Sequence, residues 1–465
     1  MSRSRELHST RLGTTDEKGR RVMPQPEDVV GKWKSRRSLI YSGLISIYLI
    51  LPWIYIDGKQ WVLLNIPRRE FTIFGSVFHA YDSVYLIFVF LGFMLLIAFI
   101  TSVWGRAWCG WACPQTVFID LIYRKIERLV EGNARKRKAL NRSGLTVEKI
   151  YKKSFKWILY LIVSLHIVHS FLGYFVGTRN LVGISFQSPS ENWFLFVTML
   201  VLTAITLFDF AWFREQFCII ACPYGRFQSV LMDQNSLVVA YDDRRGEPRR
   251  NTVKNLNEEG DCIDCFKCVK VCPTGIDIRR GTQMECIACT MCIDACDEIM
   301  RKINRPEGLI RYTSENELEG ESRKIGLRSF IYALLLIIVF TGAAVGLSKR
   351  AMLKTQFLRM PGPPFSKVVE NNEEFYINRF QAKVQVIGRM GKKLSISSLH
   401  PDVQLVSGQL PLSIGKDRES LVIFIKYKKE LLNNGSFKVP LKIFIKSDSE
   451  TLEHMTTEVG IVGPL

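Results

Sequence analysis

Hydrophobic positions along this chain show two textures. In the first three-quarters they gather into five long apolar runs, at Ser38–Ile56, Ser83–Val103, Ser154–Phe175, Trp193–Trp212 and Leu327–Leu347. Crossing a bilayer takes ~20 residues of helix, so each run predicts a transmembrane helix. The third is interrupted by His166 and His169 and still reads as a span. From about Phe365 the period shortens to two, in KVQVIG, KLSIS, DVQLV, LVIFIKYK and KVPLKIFIK, the signature of half-buried strands. Asn433–Gly435 is a turn signal between the last two, and PGPP at Pro361–Pro364 separates the textures. Short alternating strands over residues 365–465 predict an immunoglobulin-like β-sandwich. Pro440, which has no N–H to donate, predicts that its strand lies at a sheet edge.

Charge orients the helices. The chain of 465 residues has 63 Lys and Arg against 44 Asp and Glu, a net charge of +19. A nucleic-acid partner is not expected, because the excess follows the membrane pattern. The tail before Ser38, the segment Gly105–Lys153 and the segment Arg214–Lys324 are strongly basic, whereas Asp57–Asp82 and Thr178–Asn192 carry few cations. Basic loops stay in the cytoplasm, so five crossings place the N-terminus inside and the C-terminus outside. Lys349, Arg350 and Lys354 run against that rule. No cleavable signal peptide is expected, since the first apolar run starts late and lacks a small-residue cleavage site. The domains expected are a flexible tail at 1–37, a four-helix membrane region at 38–230, a linker at 231–260, a cysteine-rich domain at 261–305, a fifth helix at 327–347 and the sandwich at 365–465. All 12 cysteines precede residue 297, so the outer domain has no disulfide framework.

Eight of those cysteines form two runs of one spacing, C-x2-C-x2-C-x3-C: Cys262, Cys265, Cys268 and Cys272, then Cys286, Cys289, Cys292 and Cys296. This is the ligand run of bacterial ferredoxins, and two copies imply two 4Fe–4S clusters. Three thiolates cap three corners of one cube, and the fourth reaches the other cube. Cys262, Cys265, Cys268 and Cys296 therefore make one set, and Cys286, Cys289, Cys292 and Cys272 the other. Zinc sites use two spaced pairs and do not explain a repeated triplet plus one. A chain with such clusters moves single electrons.

The other four cysteines lie in an internal repeat. The second span runs into RAWCGWACPQTVF and the fourth into EQFCIIACPYGRF, so Cys109 and Cys113 align with Cys218 and Cys222, and Pro114 with Pro223. Two parallel hairpins related by an axis along the membrane normal are expected. In a helix, positions i and i+4 share a face, so the pairs are expected to converge. Thiolates there suit copper(I), zinc or an iron–sulfur centre, or pass electrons as dithiol and disulfide; the alternative is small apolar packing. His166 and His169 are candidates for metal ligation or proton relay because ionisable groups inside a bilayer mark function. Their alternative is a hydrogen bond to Ser164 or Thr203. His79 could join them, Asp209 is expected to pair with Arg214 or Arg106, and the tryptophans at helix ends read as an aromatic belt.

With WACPQ at Trp111–Gln115, ACPYGRFQ at Ala221–Gln228, the ferredoxin run and the outer strands, the chain resembles the cytochrome c oxidase accessory proteins called CcoG, RdxA, RdxH or FixG over nearly its whole length. The resemblance implies a bacterial inner-membrane protein acting in assembly of cbb-type oxidases, where it reduces Cu(II) to Cu(I). It implies a catalytic role for Cys109, Cys113, Cys218 and Cys222. Its partners would be membrane lipid, a cytoplasmic electron donor, copper ion, and oxidase assembly factors or a copper transporter; a homodimer is compatible. The second run ends in Asp297 where many ferredoxins have proline. Two alternatives stand beside this function: a quinol-linked polyferredoxin serving a periplasmic reductase, and a non-enzymatic redox-sensing scaffold.

Overall fold

A computed structural model describes residues 23–56, 58–79, 82–250, 259–348, 353–370, 373–386, 393–407, 412–413, 418–447 and 450–464. The chain forms two compact units, divided between Ala344 and Val345.

In the first unit, four helices among the described residues are long and apolar enough to span a membrane: Val84–Trp104, Val147–Val176, Trp193–Phe213 and Leu327–Ser348. We label the helices α1 (Lys32–Ile50), α2 (Ser83–Trp104), α3 (Ala107–Trp111), α4 (Pro114–Phe118), α5 (Arg124–Glu131), α6 (Ala134–Arg142), α7 (Val147–Val176), α8 (Thr178–Ser185), α9 (Trp193–Leu207), α10 (Pro223–Leu231), α11 (Met291–Lys302) and α12 (Leu327–Ser348). The first expected span is helical but starts earlier, at Lys32, and its apolar part ends in a tight turn at Leu51–Trp53. Its C-terminal end and the turn after it meet α7 and α8: Tyr48 donates to Ile167 O of α7 at 2.7 Å, and Thr178 Oγ1 of α8 donates to Pro52 O at 3.0 Å. A three-stranded antiparallel sheet, Val62–Asn65, Glu70–Ile73 and Ser76–His79, connects α1 to α2.

The flexible tail expected at 1–37 is corrected from residue 23 onward; residues 1–22 lie outside the described part. Glu27 N donates to Lys270 O at 3.0 Å, and the N-terminus of α1 is capped by Asp294 of α11, which accepts from Trp33 N and Lys34 N at 3.1 and 2.7 Å. A Cβ on Gly31 would lie 2.2 Å from the Asp294 side chain, so this approach needs glycine. Hydropathy ended the first span at its cluster of cations, but two of those cations have buried partners. Lys34 and Arg37 both reach the carboxylate of Asp120, which is buried. The basic stretch after α2 is likewise folded: Glu127 bridges Arg137 and Arg214 at 2.9 and 2.7 Å, and Glu131 holds Lys156 at 2.7 Å. Buried charges persist only when paired like this.

The cysteine-rich segment packs behind a two-stranded sheet, Val238–Tyr241 with Ile310–Thr313, which lies in the expected linker and beyond the expected domain end. Val239, Tyr241, Ile276, Ile278, Ile293, Met300, Leu309 and Ile310 form its core, together with Cys262 and Cys268.

The second unit holds two antiparallel sheets. Its strands are β1 (Leu353–Arg359), β2 (Ser366–Glu370), β3 (Glu373–Val386), β4 (Lys393–Ser398), β5 (Gln404–Val406), β6 (Leu412–Ser413), β7 (Arg418–Tyr427), β8 (Ser436–Ser447) and β9 (Glu450–Val462). One sheet has the order β5–β7–β3–β1 with β2 also on β3; the other has the order β6–β4–β8–β9. Alternate residues of both, including Phe380, Ile423, Ile425, Leu394, Leu441, Ile443 and Ile461, meet in one apolar core. Two expectations are corrected. The strands begin before the PGPP stretch rather than after it, and Pro440 is on an interior strand. Its partner in β4 has just ended there: the last β4–β8 pair is Ser398 with Leu441, and Leu399 N donates to Pro440 O at 3.0 Å. The missing N–H therefore falls where the ladder stops.

Candidate functional site

The two cysteine runs fold alike. Asp264 and Phe266 take left-handed backbone at φ 57, and Ala288 and Thr290, at the same places in the second run, do so at φ 51 and 62. Such non-glycine residues cost on the order of 1–3 kcal/mol each unless their surroundings hold them. The paired kinks wrap the chain around Cys265 and Cys289. The third cysteine of each run then lies in a helix, Cys268 in the single turn Lys267–Lys270 and Cys292 in α11.

The fourth cysteine of each run lies near thiols of the other run. One hollow is lined by Cys286, Cys289 and Cys292 of the second run together with Cys272 and Cys268 of the first. Burial raises the Cys296 thiol, and the neighbouring Cys268, Asp297, Cys262 and Cys265 push it further in the same direction. Burial likewise raises Cys272, whose neighbouring thiol is Cys289. Among the described residues no three His, Cys, Asp or Glu side chains converge to hold a single ion. Thiols that cap the corners of a cube stand apart by the width of the cube, unlike tetrahedral ligands around one metal. The donor set and its hollow fit a 4Fe–4S group better than a bare ion.

The membrane-side cysteines do not sit one helical turn apart. Cys109 is in α3, but the helix breaks at Ala112, and Cys113 is extended at φ −62, ψ 124. Cys218 likewise lies in a widened turn, Phe217–Ala221, and Cys222 is extended at φ −74, ψ 113. The prolines are the cause: a residue before proline is driven out of the helical region, and proline itself suits the first position of the next helix. Cys113 and Cys222 thus precede α4 and α10, which open on Pro114 and Pro223. Despite this, all four thiols are electrostatic neighbours. Burial pushes Cys109 up to about 12, opposed first by the Gln228 amide, with Cys113 and Cys222 adding to the rise. Cys218 is raised by burial and then by Cys113 and Cys109. Gln228, fully buried, donates to Cys109 Sγ at 3.0 Å. It closes the ACPYGRFQ motif, and only the fold shows what it touches.

The first thiol pair is packed onto the second cysteine run. Cys109 packs against one apolar cluster with Ile287, Cys289, Met291, Val271 and Ala295. A Cβ on Gly110 would lie 2.5 Å from Ile287 O and 2.7 Å from Ala288 O, so α3 meets that run backbone to backbone. Arg106 donates to Cys286 O at 3.1 Å and Gly225 O at 3.3 Å, tying both repeats to the run. Trp111, expected in a lipid belt, instead donates to Tyr312 at 3.3 Å, and Tyr312 donates to Ala288 O at 3.1 Å. Trp53, Trp104, Trp193 and Trp212 are exposed, as a belt requires.

The histidines are not drawn into this site. His166 is exposed and His169 half-buried on α7, and neither expected hydroxyl serves them: Ser164 bonds with Tyr123 at 2.7 Å and Thr203 donates to Met199 O at 2.7 Å. The side chain of His79 lies outside the described residues. Asp209 accepts from Gln115 at 2.9 Å, while Arg214, its expected partner, pairs with Glu127.

Comparison with known proteins finds iron–sulfur domains over the same segments. Residues 213–315 match a 4Fe–4S dicluster domain, and residues 86–133 and 191–234, the two halves of the repeat, each match a 4Fe–4S binding domain. Protein RdxA of Cereibacter sphaeroides is 39% identical over 332 residues, 67% of this chain and 68% of that protein. Protein RdxB of the same organism is 38% identical over 353 residues, 72% of each. Nitrogen fixation protein FixG of Rhizobium meliloti is 36% identical over 315 residues, 65% of this chain and 59% of that protein. No solved structure matches. With paired ferredoxin runs packed on a repeat of membrane-side thiols, and relatives this similar along two-thirds of its length, the chain belongs to the RdxA/FixG (CcoG) family of iron–sulfur electron-transfer proteins.

Proposed function

We propose that this protein carries electrons from a cytoplasmic donor to the thiols of Cys109, Cys113, Cys218 and Cys222, which reduce Cu(II) to Cu(I) for assembly of a cbb-type oxidase. The observation that carries this reading is the packing of Cys109 against the apolar cluster that contains Cys289. Cys262, Cys265, Cys268 and Cys296 would hold one 4Fe–4S cluster, and Cys286, Cys289, Cys292 and Cys272 the other; when bound, these supply electrons one at a time. A thiol pair that closes to its disulfide releases two electrons and two protons, enough to reduce two Cu(II) ions. Its return to dithiol takes up two electrons and two protons. Soft sulfur favours Cu(I) over Cu(II), which assists the reduction and retains the product.

In this reading α1 crosses the membrane with the four longer helices, which gives five crossings. The distribution of basic loops supports a cytoplasmic ferredoxin domain and a C-terminal immunoglobulin-like sandwich outside, in the periplasm. The sandwich would dock oxidase assembly factors or a copper transporter. A second reading, a quinol-linked carrier, is favoured by one observation, the exposed His166 beside His169 on α7. It predicts that quinol reduces the clusters of the purified protein.

The test uses the full protein carrying Cys109→Ser and Cys218→Ser, with iron content and cluster spectra unchanged. Cu(II) reduction is expected to fall to background. Undiminished Cu(II) reduction by that variant would remove the thiols from the mechanism.

A further inference from the structure

We infer that fixed buried charges set the two clusters at different potentials, with the cluster of the Cys286–Cys292 run the stronger electron acceptor and Arg37 the residue that makes it so. This rests on the reading that the eight cysteines hold two 4Fe–4S clusters. Adding an electron to a cluster adds negative charge, so a nearby cation favours the reduced form and a nearby carboxylate opposes it. Net charge and burial are among the levers by which a protein tunes such centres. Charges count for more away from water.

The charges around the two sets differ. Arg37 is 1% exposed and stands between Cys289 and Asp120, donating to the carbonyl of the first and the carboxylate of the second. The ion pair therefore turns its cationic end toward the second run, and Asp120 behind it is also held by Lys34 and Arg124. A guanidinium cannot shed its charge. Arg106, also buried, donates to the carbonyls of Met284 and Cys286 from another side.

Among the described residues, the cations beside the first set are matched by carboxylates, as Arg249 is by Glu247 at 2.7 Å. Arg279, the cation beside Cys268, is chelated by Asp277 at 2.7 Å and by Asp264. Asp297 directly follows Cys296, and its carboxylate is fixed by Gly308 N at 2.9 Å. The aspartate that replaces the usual ferredoxin proline thus has a use: it makes the first cluster the better donor. The polarity matches the layout. Cys265 of the first set is exposed, where a donor can reach it, and Cys289 of the second is buried in the cluster that Cys109 packs against. An electron taken up at the exposed set runs downhill toward the membrane thiols.

The test is an EPR-monitored redox titration of the full detergent-purified protein, comparing wild type with Arg37→Gln, Arg37→Lys and Asp297→Asn. Arg37→Gln, which keeps a donor for Cys289 O, is expected to lower the midpoint of the higher-potential cluster and leave the other in place. A tenfold shift in electron partition between the clusters corresponds to 59 mV for one electron. Arg37→Lys should retain the wild-type midpoint, and Asp297→Asn should raise only the lower one. Full iron with unmoved midpoints in Arg37→Gln, or an Asp297→Asn variant that shifts the higher cluster, would overturn the assignment. If Arg37→Gln does not fold, the Asp297→Asn outcome decides alone. A wild-type protein without two clusters would instead remove the cofactor reading beneath it.

Discussion

Replacing Cys272 with alanine is expected to abolish the cluster of the second cysteine run and spare that of the first, although Cys272 belongs to the first run by sequence. Half of the iron should be lost, and the surviving EPR signal should be the one that Cys286→Ala leaves behind. Cys296→Ala should do the reverse and match Cys262→Ala. The expectation follows from the hollow that Cys272 shares with Cys286, Cys289 and Cys292. On the other side, the thiols of Cys268, Cys262 and Cys265 act on Cys296. The effect is large because the fourth thiolate is a ligand, and losing it opens one corner of a cube to water and oxidation. Pairwise comparison of the four alanine variants by iron content and EPR makes the check. A Cys272→Ala protein that retains the signal missing from Cys262→Ala supports the crossed set; one that loses the same signal as Cys262→Ala sinks it.

The like folding of the two cysteine runs was legible in the chain, because C-x2-C-x2-C-x3-C fixes local geometry within a dozen residues. The apolar runs and alternating strands were legible for the same reason: period and length are local. What failed was whatever depends on a distant partner or on a competing local rule. The helical face assumed for Cys109 and Cys113 ignored Pro114, which pulls Cys113 out of the helix. The start of α1 was misplaced because Lys34 and Arg37 look like a solvated tail until Asp120 and the Cys289 carbonyl, far along the chain, are brought to them. Pro440 was assigned to an edge because no sequence shows that β4 ends at Ser398, opposite Leu441. Gln228 and Gly110 lay in plain view within the repeat, but their roles are contacts, and contacts with other segments leave no spacing to read.

Gly110→Val is expected to cut the link between the clusters and the membrane thiols while leaving both ends intact. The added side chain would start 2.5 Å from Ile287 O and 2.7 Å from Ala288 O. Both are backbone atoms of the second run and cannot rotate aside, so α3 must lift away from Cys289 or the cluster loop must bend. Displacements of about 1 Å at a reacting geometry can cost on the order of 100-fold in rate, and a loss of that size in Cu(II) reduction is expected at unchanged iron content. Gly110→Ala should show a smaller loss in the same direction. Dithionite should still reduce both clusters, since their own ligands are untouched. The repeat supplies the control: aligned on cysteine, the second half has Ile219 where the first has Gly110. Only the half that meets the cluster run needs a residue without a side chain, so Ile219→Val should leave the rate unchanged. Equal rates in Gly110→Val and wild type would mean that electrons reach the thiols by a route that does not pass through α3.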